Sequence, residues 1–257
     1  MLLATQDIAG FVGGFLWPFT RIGVAFAFLP VFGAVALPLR IRVLAAFAMT
    51  LVLWPLLPPM PAADPLGADG FLLMAEQVVI GLSMGMVVQI AIGAVVFGGQ
   101  TIAGSMGLGF AAMADPQHGE QIPVVSQFFS MMVTLLFLAA DGHLVVLDML
   151  ARSFTSLPVG GGLPDAALFA ELAGLGGMLI ATGVALALPV VVATLMTTIT
   201  FGVVSRTAPQ LNLFSIGFPM SMVVGFVALW LTSDAILLRT AGLFENSYRT
   251  LAALLGL

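Results

Sequence analysis

Asp115, His118 and Glu120 are residues whose types and spacing could do chemistry. A carboxylate and an imidazole three residues apart share one face of a helix, and such a face can hold a divalent metal. Here Pro116 and Gly119 fall inside that spacing and work against a helix, the chain has no cysteine, and only one other histidine exists to complete a ligand set. The cluster therefore reads as a polar loop rather than a metal site. Asp141-Gly142-His143 with Asp148 has the composition of a proton relay, since ionisable groups within membrane segments often carry protons. It stands at the edge of its apolar run rather than at the centre, which favours the polar cap of a helix end at an interface. Arg206 lies between charge-free runs of 34 and 27 residues, with Gln210 and Asn212 close behind it. In lipid it would be costly, so a hairpin tip is expected, solvated or paired with a partner carboxylate. Serine chemistry lacks a G-x-S-x-G motif, and Gly107-Leu108-Gly109 has neither a third glycine at dinucleotide-binding spacing nor a strand before it. Nothing in these patterns points to an enzyme or to a cofactor.

The elements around these residues are dictated by composition. The chain is 61% hydrophobic and 7% charged, with a mean hydropathy of +1.18, whereas soluble proteins carry roughly 25% charged residues. An integral membrane or membrane-assembled protein is implied. Charge-free runs over 22–39, 43–63, 77–114, 121–140, 172–205 and 207–233 approach or exceed the roughly 20 residues that a spanning helix needs. Six hydrophobic helical segments are expected, with a short seventh at the N-terminus. The seven basic residues are all arginine, at 21, 40, 42, 152, 206, 239 and 249. A net charge of -5 with no basic cluster larger than Arg40 and Arg42 gives no electrostatic footprint for nucleic acid, and that pair alone votes on membrane orientation, which stays open. Without cysteine there is no disulfide or thiolate chemistry. Asp7, and the absence of an early Arg or Lys, do not fit a cleavable signal peptide, so the first apolar stretch is expected to be retained.

Proline and glycine punctuate the chain. Trp54 to Pro61, followed by Asp64-Pro65 and Asp69-Gly70, is expected to form one extended loop. Leu157 to Asp165 is a second, with Pro164 and Asp165 suited to a helix start. Beyond it a long helical hairpin is expected, with one arm over 168–204, a turn over 205–218 and a second arm from Pro219. The first arm would run roughly 50 Å, longer than the roughly 30 Å hydrocarbon core, so either Pro189 breaks it or it leaves the bilayer. Small residues recur in four-residue steps as Gly81 with Gly85, Ala94 with Gly98 and Gly99 with Ala103, a pattern that lets helices approach closely. Gly98, Gly99, Gly104, Gly107 and Gly109, interleaved with Met106, Phe110 and Met113, lead into the polar island at 115–120. Glycine at that density suggests a re-entrant or loop-like segment lining or blocking a path.

In order along the chain, Phe15-Leu16-Trp17-Pro18-Phe19-Thr20-Arg21-Ile22, Pro30-Val31-Phe32-Gly33, Pro38-Leu39-Arg40-Ile41-Arg42 and Gly107-Leu108-Gly109-Phe110-Ala111 leading to Asp115-Pro116-Gln117 resemble the FliR family of type III export proteins, which includes the injectisome T component. Leu135-Leu136-Phe137-Leu138 with Gly142-His143, Ser153-Phe154 with Leu157-Pro158, and Ser205-Arg206 through Ala208-Pro209-Gln210-Leu211-Asn212 to Phe214-Ser215-Ile216-Gly217-Phe218-Pro219 extend the resemblance over nearly the whole chain, closer to the flagellar branch. His118-Gly119 stands where the family has Asn-Gly. The resemblance implies an all-α, membrane-associated subunit with no enzymatic activity and no cofactor. It implies a FliP-like part over 1–163 and a FliQ-like helical hairpin over 164–257, assembled into a helical export-gate cone with FliP and FliQ. FlhB, FlhA, membrane lipid and unfolded flagellar export substrates are the further implied partners. The implied location is the bacterial inner membrane within the flagellar basal body, largely raised out of the bilayer, so that six apolar segments are not six passes. The family's plug maps to 106–123, and Met106, Gly107, Leu108, Gly109, Phe110, Met113, Asp115, Pro116 and Gln117 are carried over as a gating loop. Arg206, Gln210 and Asn212 are expected to make polar contacts between subunits. The competing reading is a polytopic secondary transporter with ion coupling through Asp141, His143 and Arg206, although the paired halves usual in transporters are not visible.

Overall fold

A computed structural model describes residues 5–30, 32–33, 37–108, 124–162, 166–208 and 216–257 of the 257-residue chain, without the side chains of 5–12, 166–169 and 171. The described residues are helical, in the order α1 (Thr5–Phe28), α2 (Leu39–Leu53), α3 (Ala68–Ser105), α4 (Val124–Ala139), α5 (Gly142–Ser156), α6 (Ala166–Thr207) and α7 (Phe218–Leu255), with a 3-10 turn over Trp54–Leu56. Four of these elements, Leu39–Leu56, α3, Leu172–Thr207 of α6 and α7, are long and apolar enough to cross a membrane, and α4 with α5 makes a fifth if the bent pair counts as one span.

Local chemistry explains most of the boundaries. Helix α2 starts directly after Pro38, which has no N–H to leave unsatisfied, and tightens into the 3-10 turn where Pro55 stands at its start. Before α3, the Asp64 carboxylate accepts the Leu66 N–H at 3.0 Å, a side-chain turn that Asp favours. Asp69 then occupies the first turn of α3, where a negative charge complements the helix dipole. Asp69-Gly70 thus belongs to the helix rather than to the expected extended loop, which is confined to residues 57–67. Between α4 and α5 the chain bends by 63° through Asp141 in the left-handed region, φ 53°, whose carbonyl accepts the Leu144 N–H at 2.9 Å.

Three sequence expectations change. The charge-free run over 22–39 is not a helix of its own: its first part completes the 24-residue α1, which passes through Arg21, and it ends where Pro30 and Gly33 stop the helix. The segment after 140 forms a further helix, α5. Pro189 does not break α6, which runs through it for 42 residues, or roughly 60 Å at 1.5 Å per residue. The hairpin arms otherwise match the expected positions, with α7 continuing to Leu255.

Backbone contacts divide the chain into two compact units, one made of 1–90, 137–175 and 244–257 and the other of 91–136 and 176–243. In the first, Gly81 and Gly85 of α3 face α1 so closely that a Cβ at Gly81 would sit 2.5 Å from the Arg21 carbonyl oxygen and one at Gly85 2.6 Å from Phe28 Cβ. In the second, a Cβ on Gly183 of α6 would lie 2.7 Å from the Ala94 carbonyl oxygen, and one on Gly99 2.8 Å from the Phe129 Cβ of α4. The small-residue steps are therefore helix-packing surfaces within the chain, and Gly98 and Gly99 remain helical. Burial ranks the candidate spans: 61% of the most apolar 18-residue stretch of α3 is inside the molecule, against 17%, 28% and 17% for those of α2, α6 and α7. Helix α3 carries the core; the other three present their apolar residues outward.

Candidate functional site

The segment expected to gate begins where α3 stops, and the stop is a complete Schellman motif. Gly107 adopts φ +81°, the Leu108 N–H donates to the Ala103 carbonyl at 3.1 Å, and the Gly107 N–H donates to Gly104 at 3.0 Å. Glycine reaches this backbone without steric cost, whereas any other residue is strained there. The residue before it, Met106, is fully buried. Its seat is Gly225 of α7, where an added Cβ would lie 2.6 Å from Met106 Cγ and 3.0 Å from its Sδ. The Phe218 ring covers Gly107 from the first turn of α7, 2.9 Å from where a Cβ would be. The end of α3 is thus pinned by one thioether in a glycine notch and one aromatic ring, a contact that is apolar and adaptable because methionine is unbranched and polarizable.

Of the sequence-derived gating residues, Met106, Gly107 and Leu108 are brought together at this seat. Gly109, Phe110, Met113, Asp115, Pro116 and Gln117, together with His118 and Glu120, lie outside the described residues, as do Gln210 and Asn212. Arg206 is exposed in the last turn of α6, where its charge complements the helix C-terminus. Asp141 caps α5 through its backbone, and Asp148 pairs with Arg152 at 2.9 Å on an exposed face. His143 is half-buried with no partner on Nδ1. Asp141 and His143 belong to the first compact unit and Arg206 to the second, and no group of three His, Asp or Glu suited to a metal occurs among the described residues.

A polar centre not anticipated from the sequence lies in the first unit. Arg21, fully buried in α1, donates from Nε to Gln77 Oε1 at 2.7 Å, from Nη1 to the Ser153 carbonyl at 2.8 Å and to its Oγ at 3.1 Å, and from Nη2 to the Leu157 carbonyl at 2.9 Å. Its guanidinium carbon sits 4.3 Å from the centroid of the Phe154 ring. Glu76, 5% exposed, faces it and the backbone N–H groups of Gly160 and Gly162. One cation thereby ties α1, α3, the end of α5 and the 157–162 turn. The only hint in the sequence is an arginine set in apolar surroundings, because every partner is 56 or more residues away.

The Arg21 partners Ser153 and Leu157, the Gly107 stop and Phe218 all fall in the ordered set of segments that carries the family resemblance, and direct comparison agrees. The chain is 34% identical over 249 residues to the flagellar biosynthetic protein FliR of Pectobacterium carotovorum subsp. carotovorum, covering 97% of this chain and 95% of that one. It is 32% identical to the protein of the same name in Escherichia coli (strain K12), covering 82% and 80% of the two chains, and 28% identical to that of Bacillus subtilis (strain 168), covering 95% of each. Residues 12–247 match the family described as bacterial export proteins, family 1, and the chain belongs to that family.

Proposed function

We propose that this chain is a structural and gating subunit of the flagellar type III protein export gate in the bacterial inner membrane, forming the substrate channel with FliP and FliQ beside FlhB and FlhA. The observation that carries the reading is similarity along nearly the entire length to proteins named flagellar biosynthetic protein FliR. Two features of the fold support it. Helices α6 and α7 expose Val192, Met196, Val203, Phe226, Trp230 and Leu238, far more apolar surface than a freestanding bundle leaves in water. A FliQ-like hairpin over 164–257 would cover those faces with partner helices, and a FliP-like part over 1–163 would continue the same ring. At the end of α3, the Met106 seat and the Gly107 stop give a loop over 106–123 a fixed root. Apolar groups rooted in this way can seal a constriction against ions and still yield to a passing polypeptide. Asp115, Pro116 and Gln117 would form the hinge end of that plug, while Arg206, Gln210 and Asn212 would meet neighbouring subunits at the hairpin tip.

The test deletes residues 107–117 in cells that otherwise assemble the apparatus. Native mass spectrometry of the detergent-extracted complex is expected to retain FliP and FliQ, while membrane permeability to ions and small solutes rises. Unchanged permeability in a verified, assembled deletion would overturn the plug; purification of the wild-type chain as a stable homo-oligomer without those partners would overturn the subunit assignment.

A further inference from the structure

Pro189 stands inside α6, and proline has no N–H to donate to the carbonyl four residues back. That carbonyl belongs to Ala185. It lies on an exposed stretch of the helix beside Val184 and Leu188, in a segment long and apolar enough to be in hydrocarbon, where an unsatisfied backbone group is costly. The structure supplies a donor from the opposite arm of the hairpin: Nη1 of Arg239 in α7 donates to the Ala185 oxygen at 3.0 Å. The guanidinium has no other acceptor among the described residues, and its neighbours Leu237 and Leu238 are exposed and apolar. A charge in such a segment is expected to pair with another charge or with a backbone carbonyl, and here it meets the one carbonyl that proline has released.

We propose that Pro189 and Arg239 form a hinge and its latch. Proline removes one rung of the α6 ladder and makes 185–189 the point at which the arm can bend. Arg239 replaces the missing donor from α7, so the bend is held at one value while the bond is made and is free when the bond is lost. Arg239 is thus a positioning residue for the hairpin, and its importance depends on the proline: restoring the N–H at position 189 should make the arginine dispensable.

The absence of cysteine lets two labelling sites be introduced cleanly. Spin labels at Ile180 and Ile199, both exposed and on either side of Pro189, report the bend in the full chain within its detergent-extracted assembly. Arg239→Met is expected to broaden the distance distribution, Arg239→Lys, which keeps a donor, to broaden it less, and Pro189→Ala with Arg239→Met to return a narrow one. In thermal unfolding Arg239→Met is expected to lower Tm by about 3 °C with Pro189 present and by under about 1 °C in the Pro189→Ala background. Assembly of the double variant where the Arg239→Met single variant fails to assemble would also support the latch. Equal broadening and equal Tm losses in both backgrounds, no effect of Arg239→Met at all, or failure of both variants to assemble would overturn it, since removing the orphan carbonyl must remove the need for its donor.

Discussion

Arg21 shows how a single side chain can organise a large part of a fold. A guanidinium offers five N–H groups in a rigid fork, and here they meet an amide, a hydroxyl and two carbonyls inside an apolar core. Removing one partner from such a centre leaves the others buried and unsatisfied, so Arg21→Ala is expected to cost about 3 to 5 kcal/mol, a fall in Tm of roughly 10 °C measured on the detergent-extracted complex. Lysine cannot reproduce the fork, and Arg21→Lys should recover less than half of that loss. At the other end of α3, Gly107→Ala places a Cβ at φ +81° and 2.9 Å from the Phe218 ring. It is expected to cost on the order of 1 to 2 kcal/mol in the same measurement. The glycine density before the polar island was legible in the sequence as a loop-like approach, but not which glycine ends the helix, since Gly98, Gly99 and Gly104 stay in α3 and Gly107 stops it. The buried arginine was not, because its partners lie up to 136 residues away and no local pattern encodes them.

Among the elements, the helices with glycine steps are held by close approach, where little hydrophobic gain is available in lipid. A side chain at Gly183 would drive into the Ala94 carbonyl and the Phe97 ring. Gly183→Leu is therefore expected to separate α6 from α3 at a cost of about 1 to 3 kcal/mol or more, read as a drop in Tm and as new protease sensitivity in the hairpin. Gly225→Val addresses the proposed gating loop directly: it fills the notch that holds Met106, and is expected to raise ion permeability of assembled gates without removing any residue of 106–123. Unaltered permeability in an assembled Gly225→Val variant would separate the Met106 seat from gating. Segment boundaries move where a single charge or an Asp-Gly pair reads as punctuation. Arg21 ends a charge-free run but not a helix, since a paired charge can sit within α1, and Asp69 lies inside α3 because the helix start welcomes it.

For the whole molecule, the decisive property is the imbalance between α3, mostly buried, and α2, α6 and α7, mostly outward-facing. Those faces need lipid or partner helices. The chain expressed alone is expected to aggregate or to be degraded, and co-expression with FliP and FliQ to rescue a monodisperse complex by size exclusion. Recovery of the same monodisperse species without partners would argue that lipid alone covers the hairpin. The inventory of seven helices among the described residues was largely readable because length and apolarity set it, and the hairpin arms fell close to their expected positions.

By itself the sequence determined an all-helical, membrane-compatible chain, its family and the small-residue faces, since composition, period and motif order are local quantities. Tertiary structure decided which residues those faces meet, that Pro189 is bridged rather than a break, and that Arg21 is a centre rather than a boundary. The physical reason is common to all three: each depends on a donor, an acceptor or a surface brought from a distant part of the chain, and only folding creates that neighbour.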